Sequence, residues 1–152
     1  MNPKITTIAE EKAVEFIQAV VGKKVTHIWR GYGTAIFIEV GVLTKDDSEN
    51  NPSGEFTIAI EGTWRLEEKD KVIYGADNDD VTLTKSIKCL EDLEVTNIKF
   101  FGRLKEIEIE FDNSIYLSSF AMNSGELEWS VRSNKTWLYY KSNEFVFEVS
   151  KT

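Results

Sequence analysis

The residues best placed for chemistry are carboxylates. Lys105-Glu106-Ile107-Glu108-Ile109-Glu110-Phe111-Asp112 alternates strictly. On a strand, Ile107, Ile109 and Phe111 would face a core while Glu106, Glu108, Glu110 and Asp112 share the opposite face. Same-face neighbours on a strand stand ~6.6 Å apart, twice the rise per residue. Carboxylates at that separation suit glycoside hydrolysis in geometry. Acid–base pairs also need unequal environments, and a solvated ladder offers equal ones. The strip therefore reads in two ways. It is a solvated face balanced across the sheet by Lys99, Arg103, Arg132 or Lys141, or an acidic surface that steers a basic protein partner. Glu126 and Glu128 extend it if Leu127 and Trp129 point inward, and Asp46, Asp47 and Glu49 add an acidic loop.

Asp77-Asn78-Asp79-Asp80 is the tightest acidic cluster. It begins like a calcium loop but lacks the later glycine and the closing glutamate. It reads better as the cap of a following helix, where carboxylates meet the positive helix end. Cys89 and His27 are the only residues of their types, so neither a disulfide nor an unaided zinc site is expected. A reactive thiol needs a tuned environment, and Cys89 reads instead as a small, buried or half-buried side chain. His27 reads as a surface or hydrogen-bonded structural residue. No glycine-rich phosphate loop, Gly-x-Ser-x-Gly elbow or His-Glu-x-x-His stretch is present. A non-enzymatic chain with no cofactor is expected. Trp29, Trp64, Trp129, Trp137, Tyr139 and Tyr140 can stack on sugars or bases, although Trp64 and Trp129 fit core positions.

These residues need elements to hold them. Thr7 and Glu10 make a capping-box pattern ahead of Ala9, Ala13, Phe16, Ile17, Val20 and Val21, which share one helical face as far as Gly22. The period then changes to two. Strands are expected over 25–29, 35–40 and 55–61, with Asp46–Gly54 as a polar loop. Trp64-Arg65-Leu66 continues the same sheet, followed by a short strand at 72–74. Leu83, Ile87 and Leu90 mark a second helix, with Asp80 or Thr82 as its N-cap. Strands follow over 95–101, 104–111, 115–120, 126–131, 136–140 and 144–149. Three segments recur: Val25-Thr26-x-Ile28 at Val95, Ile36-x-Ile38-Glu39-Val40 at Ile107, and Gly54-Glu55-Phe56 at Gly125. Two related β-meanders over 24–75 and 94–149, joined by the second helix, are one reading of this echo.

Composition bounds the rest. With 152 residues, 41% hydrophobic and 12% aromatic, the chain suits one domain with a proper core. A formal charge of −8 argues against nucleic-acid binding, which calls for a basic face. Glu10, Glu11, Lys12 and Glu15 interrupt any N-terminal apolar run, so neither a secretory signal nor a membrane span is expected, and the protein reads as cytoplasmic.

Four segments carry a resemblance. Ile58-x-Ile60-x-x-x-Trp64-Arg65, Tyr74-Gly75-Ala76-Asp77, Ile109-Glu110-Phe111-Asp112-Asn113 and Glu126-x-Glu128-Trp129 resemble a family of small uncharacterised bacterial proteins. That family has a Trp-Arg strand, a Gly-x-Asp loop and a Phe-Asp-Gly-type hairpin. The likeness runs from Lys24 to Trp129, with Asn113 where the hairpin glycine is usual and Ser130 after the second Trp. Small acidic proteins of this look are also similar to immunity proteins of bacterial toxin systems, which neutralise a partner by direct binding. The resemblance implies a fold rather than an activity, and a buried pair of Arg65 with the loop aspartate, Asp77 with Asp79 as the alternative match, tying the halves together.

The expectation is a single α+β domain, mainly antiparallel sheet, with an N-terminal helix and one helix between two meanders. Its expected role is an immunity-type inhibitor that occludes a basic toxin or effector through Asp46, Asp47, Glu49, Glu106, Glu108, Glu110 and Asp112. The alternative is a small-molecule binder or enzyme with a pocket between sheet and helix. The sequence names no oligomeric state.

Overall fold

The computed structural model describes residues 2–46, 48–76 and 78–150, with Asp80 described by its backbone alone. Two antiparallel sheets and two helices enclose one core. The chain runs β1 (Lys4–Ile8), α1 (Glu10–Gln18), β2 (Val25–Arg30), β3 (Ile36–Val40), β4 (Phe56–Ile60), β5 (Thr63–Glu68) and β6 (Lys71–Gly75). It continues through α2 (Asp80–Ser86), a 3-10 turn (Ile87–Leu90), β7 (Val95–Phe101), β8 (Glu106–Phe111), β9 (Ile115–Phe120), β10 (Trp129–Ser133), β11 (Thr136–Lys141) and β12 (Glu144–Val149).

The seven-stranded sheet has the order β1-β12-β11-β10-β4-β3-β2, and the five-stranded sheet β6-β5-β9-β8-β7. Each contains an unbroken meander, β2-β3-β4 in one and β7-β8-β9 in the other. The strands that follow each meander cross to the opposite sheet: β5 pairs with β9, and β10 pairs with β4. The expectation that Trp64-Arg65-Leu66 continues the first sheet is thus corrected. Between Ile60 and Thr63 the chain changes layers. Gly54–Phe56 and Gly125–Leu127 are likewise not in like positions, because Ile60 of β4 lies opposite Trp129 of β10.

The alternating pattern aims every second side chain inward. Ile36, Ile38, Val40, Ile58 and Ile60 from one sheet meet Trp64, Leu66, Ile107, Ile109 and Leu117 from the other, all buried. Ala13 and Ile17 of α1, with Val20 beyond it, close one end; Leu83, Ile87 and Leu90 close the other. The join between the meanders is reciprocal. Gly22 N–H donates to the Val95 carbonyl and Asp92 N–H to the Val25 carbonyl, each at 2.8 Å. Val25 N–H donates to Leu93 and Val95 N–H to Lys23, each at 2.9 Å, around the Lys24–Glu94 bridge. Gly22 and Asp92 both adopt left-handed φ, +91° and +72°.

Three local expectations are corrected. Thr7 caps no helix; it pairs with Val146 in β1, an edge strand, and α1 starts at Ala9 without a side-chain cap. The N-cap of α2 is Asp79, whose carboxylate accepts from Thr82 N–H at 2.9 Å. Cys89 is exposed rather than buried. Desolvation by neighbouring parts of the chain and then the Glu68 charge push the thiol above its ordinary value, the opposite of a reactive thiolate. Among the described residues, no helix is long and apolar enough to cross a membrane.

Candidate binding cleft

The outer face of the seven-stranded sheet carries a cleft of about 450 Å³ lined by residues of β2, β3, β4, β10 and β11 and by Glu49, Asn50, Asn51 and Ser53 of the connection between β3 and β4. It arises from alternation that departs from the usual polar-outside rule. In β2 and β3 the outward positions hold Trp29 and Phe37, which lie opposite each other in register and stack at 4.0 Å between ring centroids. The next outward pair is His27 and Glu39. Glu39 is 1% exposed, an unusual place for a carboxylate. It remains there because three donors meet it: Trp29 Nε1 at 2.8 Å, Gly54 N–H at 3.0 Å, and the Thr57 hydroxyl in a short bond.

Glu39 thereby ties the loop to the sheet, and the loop has further anchors. Thr44 and Ser53 exchange backbone bonds at 2.8 and 2.7 Å. Glu55 accepts from Val42 N–H at 2.8 Å and pairs with Lys23 at 3.0 Å, and these two contacts, in that order, hold its carboxyl below the ordinary range. Asp46 accepts from the Ser48 N–H and hydroxyl, each at 2.9 Å, which lowers its carboxyl likewise. His27 Nε2 lies 3.0 Å from Asn51 Oδ1, a hydrogen-bonded structural role as expected.

At the far wall stand Arg132 and Trp137, opposite each other in β10 and β11. The guanidinium lies 5.6 Å from the indole centroid and donates to Ser53 Oγ at 3.3 Å. Glu49 and Glu61 line the opening, and among the described residues neither enters an ion pair. The cleft thus combines flat aromatic walls with three carboxylates, Glu39, Glu49 and Glu61, and one guanidinium, Arg132. The residues that line this cleft come from the sheet and the loop, and none from either helix.

The β8 strip is on the outer face of the other sheet, with Glu106, Glu108 and Glu110 on one side as the alternation dictates. All three are half-buried. Glu106 accepts from Ser119 Oγ at 2.7 Å and from Ala121 N–H; Glu108 lies 3.6 Å from Lys99 Nζ; Asp112 accepts from Glu94 N–H at 3.2 Å. Glu61, Glu106, Glu126 and Glu128 converge instead on a smaller recess of about 280 Å³ where the sheets meet. No group of acidic, His or Cys side chains suited to a metal ion occurs among the described residues.

Of the acidic loop, Glu49 lines the cleft, Asp46 lies beside it, and Asp47 falls outside the described residues. Asp77 also lies outside them. Its expected partner Arg65 is not buried: its side chain is 46% exposed, pairs with Glu67 at 2.9 Å and covers the Phe120 ring at 4.5 Å. Trp64 and Trp129 are core residues, at 1% and 2% exposure. Glu39, Phe37 and Arg132 were not recognisable as one site from sequence. The available signal was aromatic residues at outward strand positions flanking a long polar loop.

Fold and site define the class: an antiparallel two-sheet α+β domain with an aromatic, acid-rimmed cleft on one outer face. No protein-family model matches the chain, and no curated protein or solved structure matches it either.

Proposed function

We propose that this chain works by direct binding, without a reaction of its own, and that it holds a protein partner of basic character in the manner of an immunity-type inhibitor. The observation that carries the reading is the cleft, where Glu61 and Glu49, the latter accepting from the Ser53 hydroxyl at 3.3 Å, line the same recess as Trp29, Phe37 and Trp137 and enter no ion pair among the described residues. Aromatic faces and carboxylates outside any ion pair together favour cationic side chains. The formal charge of −8 adds long-range attraction to such a partner. The β8 strip is the weaker surface, because Glu106 and Glu108 are occupied within the chain.

A small-molecule binder is the second reading. It is favoured by Arg132, which forms no ion pair among the described residues and offers an anion a counter-charge within the same cleft. The reciprocal bonds at Gly22 and Asp92, and bulges at like places in β2 and β7, support a further proposal that the meanders are copies of one unit.

Thermal melts with an arginine-rich peptide, a glutamate-rich peptide, an oligosaccharide and a nucleotide test the binding role. A rise in melting temperature with the arginine-rich peptide, falling as salt increases, is expected. A rise confined to the other three probes, or no rise with any, overturns the reading.

A further inference from the structure

We infer that the cleft is one half of a groove that takes an extended basic segment of the partner, with Lys or Arg at alternate positions. The inference rests on the proposed binding role and adds the form of what is bound. Beyond Trp137 the outer face continues into a second recess of about 320 Å³, which shares Glu61, Ser130 and Trp137 with the first. Its own wall is Tyr139, and its carboxylates are Glu128 and Glu148. Tyr139 donates to Glu148 at 3.1 Å, while neither glutamate enters an ion pair among the described residues. The chemistry of the first recess is therefore repeated: an aromatic face beside carboxylates outside any ion pair.

The spacing follows from the strand. Trp137 and Tyr139 are two residues apart on β11 and share one face, so their Cα atoms stand ~6.6 Å apart. An extended peptide places side chains i and i+2 on one side at the same interval. One cation then meets Trp137 and Glu61, and the next meets Tyr139 with Glu128 and Glu148. Arg132 sets the polarity of the groove. Its guanidinium at the loop end repels a cation there and moves the first site toward Glu61, away from Ser53.

Capped peptides Ala-Arg-Ala-Arg-Ala, Ala-Arg-Arg-Ala-Ala and Ala-Glu-Ala-Glu-Ala, titrated into the full chain by calorimetry, test this. The alternating arginine peptide is expected to bind more tightly than the adjacent one of equal charge. Glu61→Gln and Trp137→Ala are each expected to weaken it about tenfold, the size of one cation–π or charged contact, while Glu108→Gln changes nothing. Glu61 is exposed, so Glu61→Gln tests the site even where Trp137→Ala perturbs folding. Equal binding of both arginine peptides, or loss on Glu108→Gln with indifference to Glu61→Gln, overturns the groove while leaving the binding role intact. Binding of the glutamate peptide alone, or of no peptide, overturns both.

Discussion

The two outer faces are built on the same register and have become different surfaces. Where Trp29 lies opposite Phe37 on the seven-stranded sheet, Lys99 lies opposite Glu108 on the five-stranded one. Where His27 meets Glu39, Asn97 meets Glu110. Ser130 and Arg132 run along β4 as Arg65 and Glu67 run along β9. One arrangement yields stacked rings and a buried carboxylate, the other a ladder of charged side chains with a Lys99–Glu108 pair. The cause is the connection between the second and third strands of each meander. Asn51, Ser53 and Gly54 of the first connection bond to His27, Arg132 and Glu39 on the first face, whereas 112–114 turn tightly and leave the second face open. A roof removes water, so the first face can keep aromatic walls and a carboxylate satisfied by fixed donors. Without a roof, charged side chains are the stable choice.

The sharpest break in the comparison is at the two like-placed glutamates. Glu39→Ala strands the Trp29 indole, the Gly54 amide and the Thr57 hydroxyl, and is expected to cost about 2–4 kcal/mol of unfolding free energy. Glu110→Ala removes a half-buried side chain and is expected to change stability by about 0.5 kcal/mol or less. Denaturant unfolding checks both, and losses of equal size would mean that the roof does not set the difference. Gly54→Ala comes next. A Cβ there would press on the Val40 carbonyl oxygen and lie 2.8 Å from its nitrogen, so backbone must move. A loss of about 1–3 kcal/mol is expected, with the His27–Asn51 contact weakened in NMR spectra.

The sequence carried the strands of this comparison better than their assembly. Runs of β-branched and aromatic residues between polar turns located β7 at 95–101, β9 at 115–120 and β12 at 144–149. Sheet membership was not legible. Which distant strand receives β5 or β10 depends on pairing across the fold, and alternation carries no information about partners. The first strand was hidden for a local reason: Thr7 suits both a helix cap and an edge strand, and pairing with β12 decides. At the site, Glu39 and Glu110 look alike in Ile-Glu-Val and Ile-Glu-Phe. Only the loop folded over one of them makes it a buried anchor, which is why the acidic strip drew attention and the cleft did not.

The smallest effect separates the roof from the sheets beneath it. Glu55 and Asp46 both have folded-state values below their ordinary 4.5 and 3.8, because the Val42 and Ser48 amides bind the charged forms. Groups shifted downward stabilise the fold above those ordinary values, and the contribution is lost as pH falls through the lowered ones. Tyr139 runs the other way. Its hydroxyl is shifted above 10.0 by desolvation and then by Glu148, so its contribution is present below that value and disappears only as pH rises through the higher one. Acid should therefore loosen the loop anchors, whereas the Tyr139 hydroxyl keeps its proton over the whole acid range. Amide exchange, corrected for its intrinsic pH dependence, should show protection falling at Val42 as pH drops below 4.5 and at Ser48 as it drops below 3.8. Protection at Val131 and Leu138 should hold over the same range. Parallel loss at all four amides would mean that roof and sheet open as one unit, and the two faces would then differ in side chains without differing in local stability.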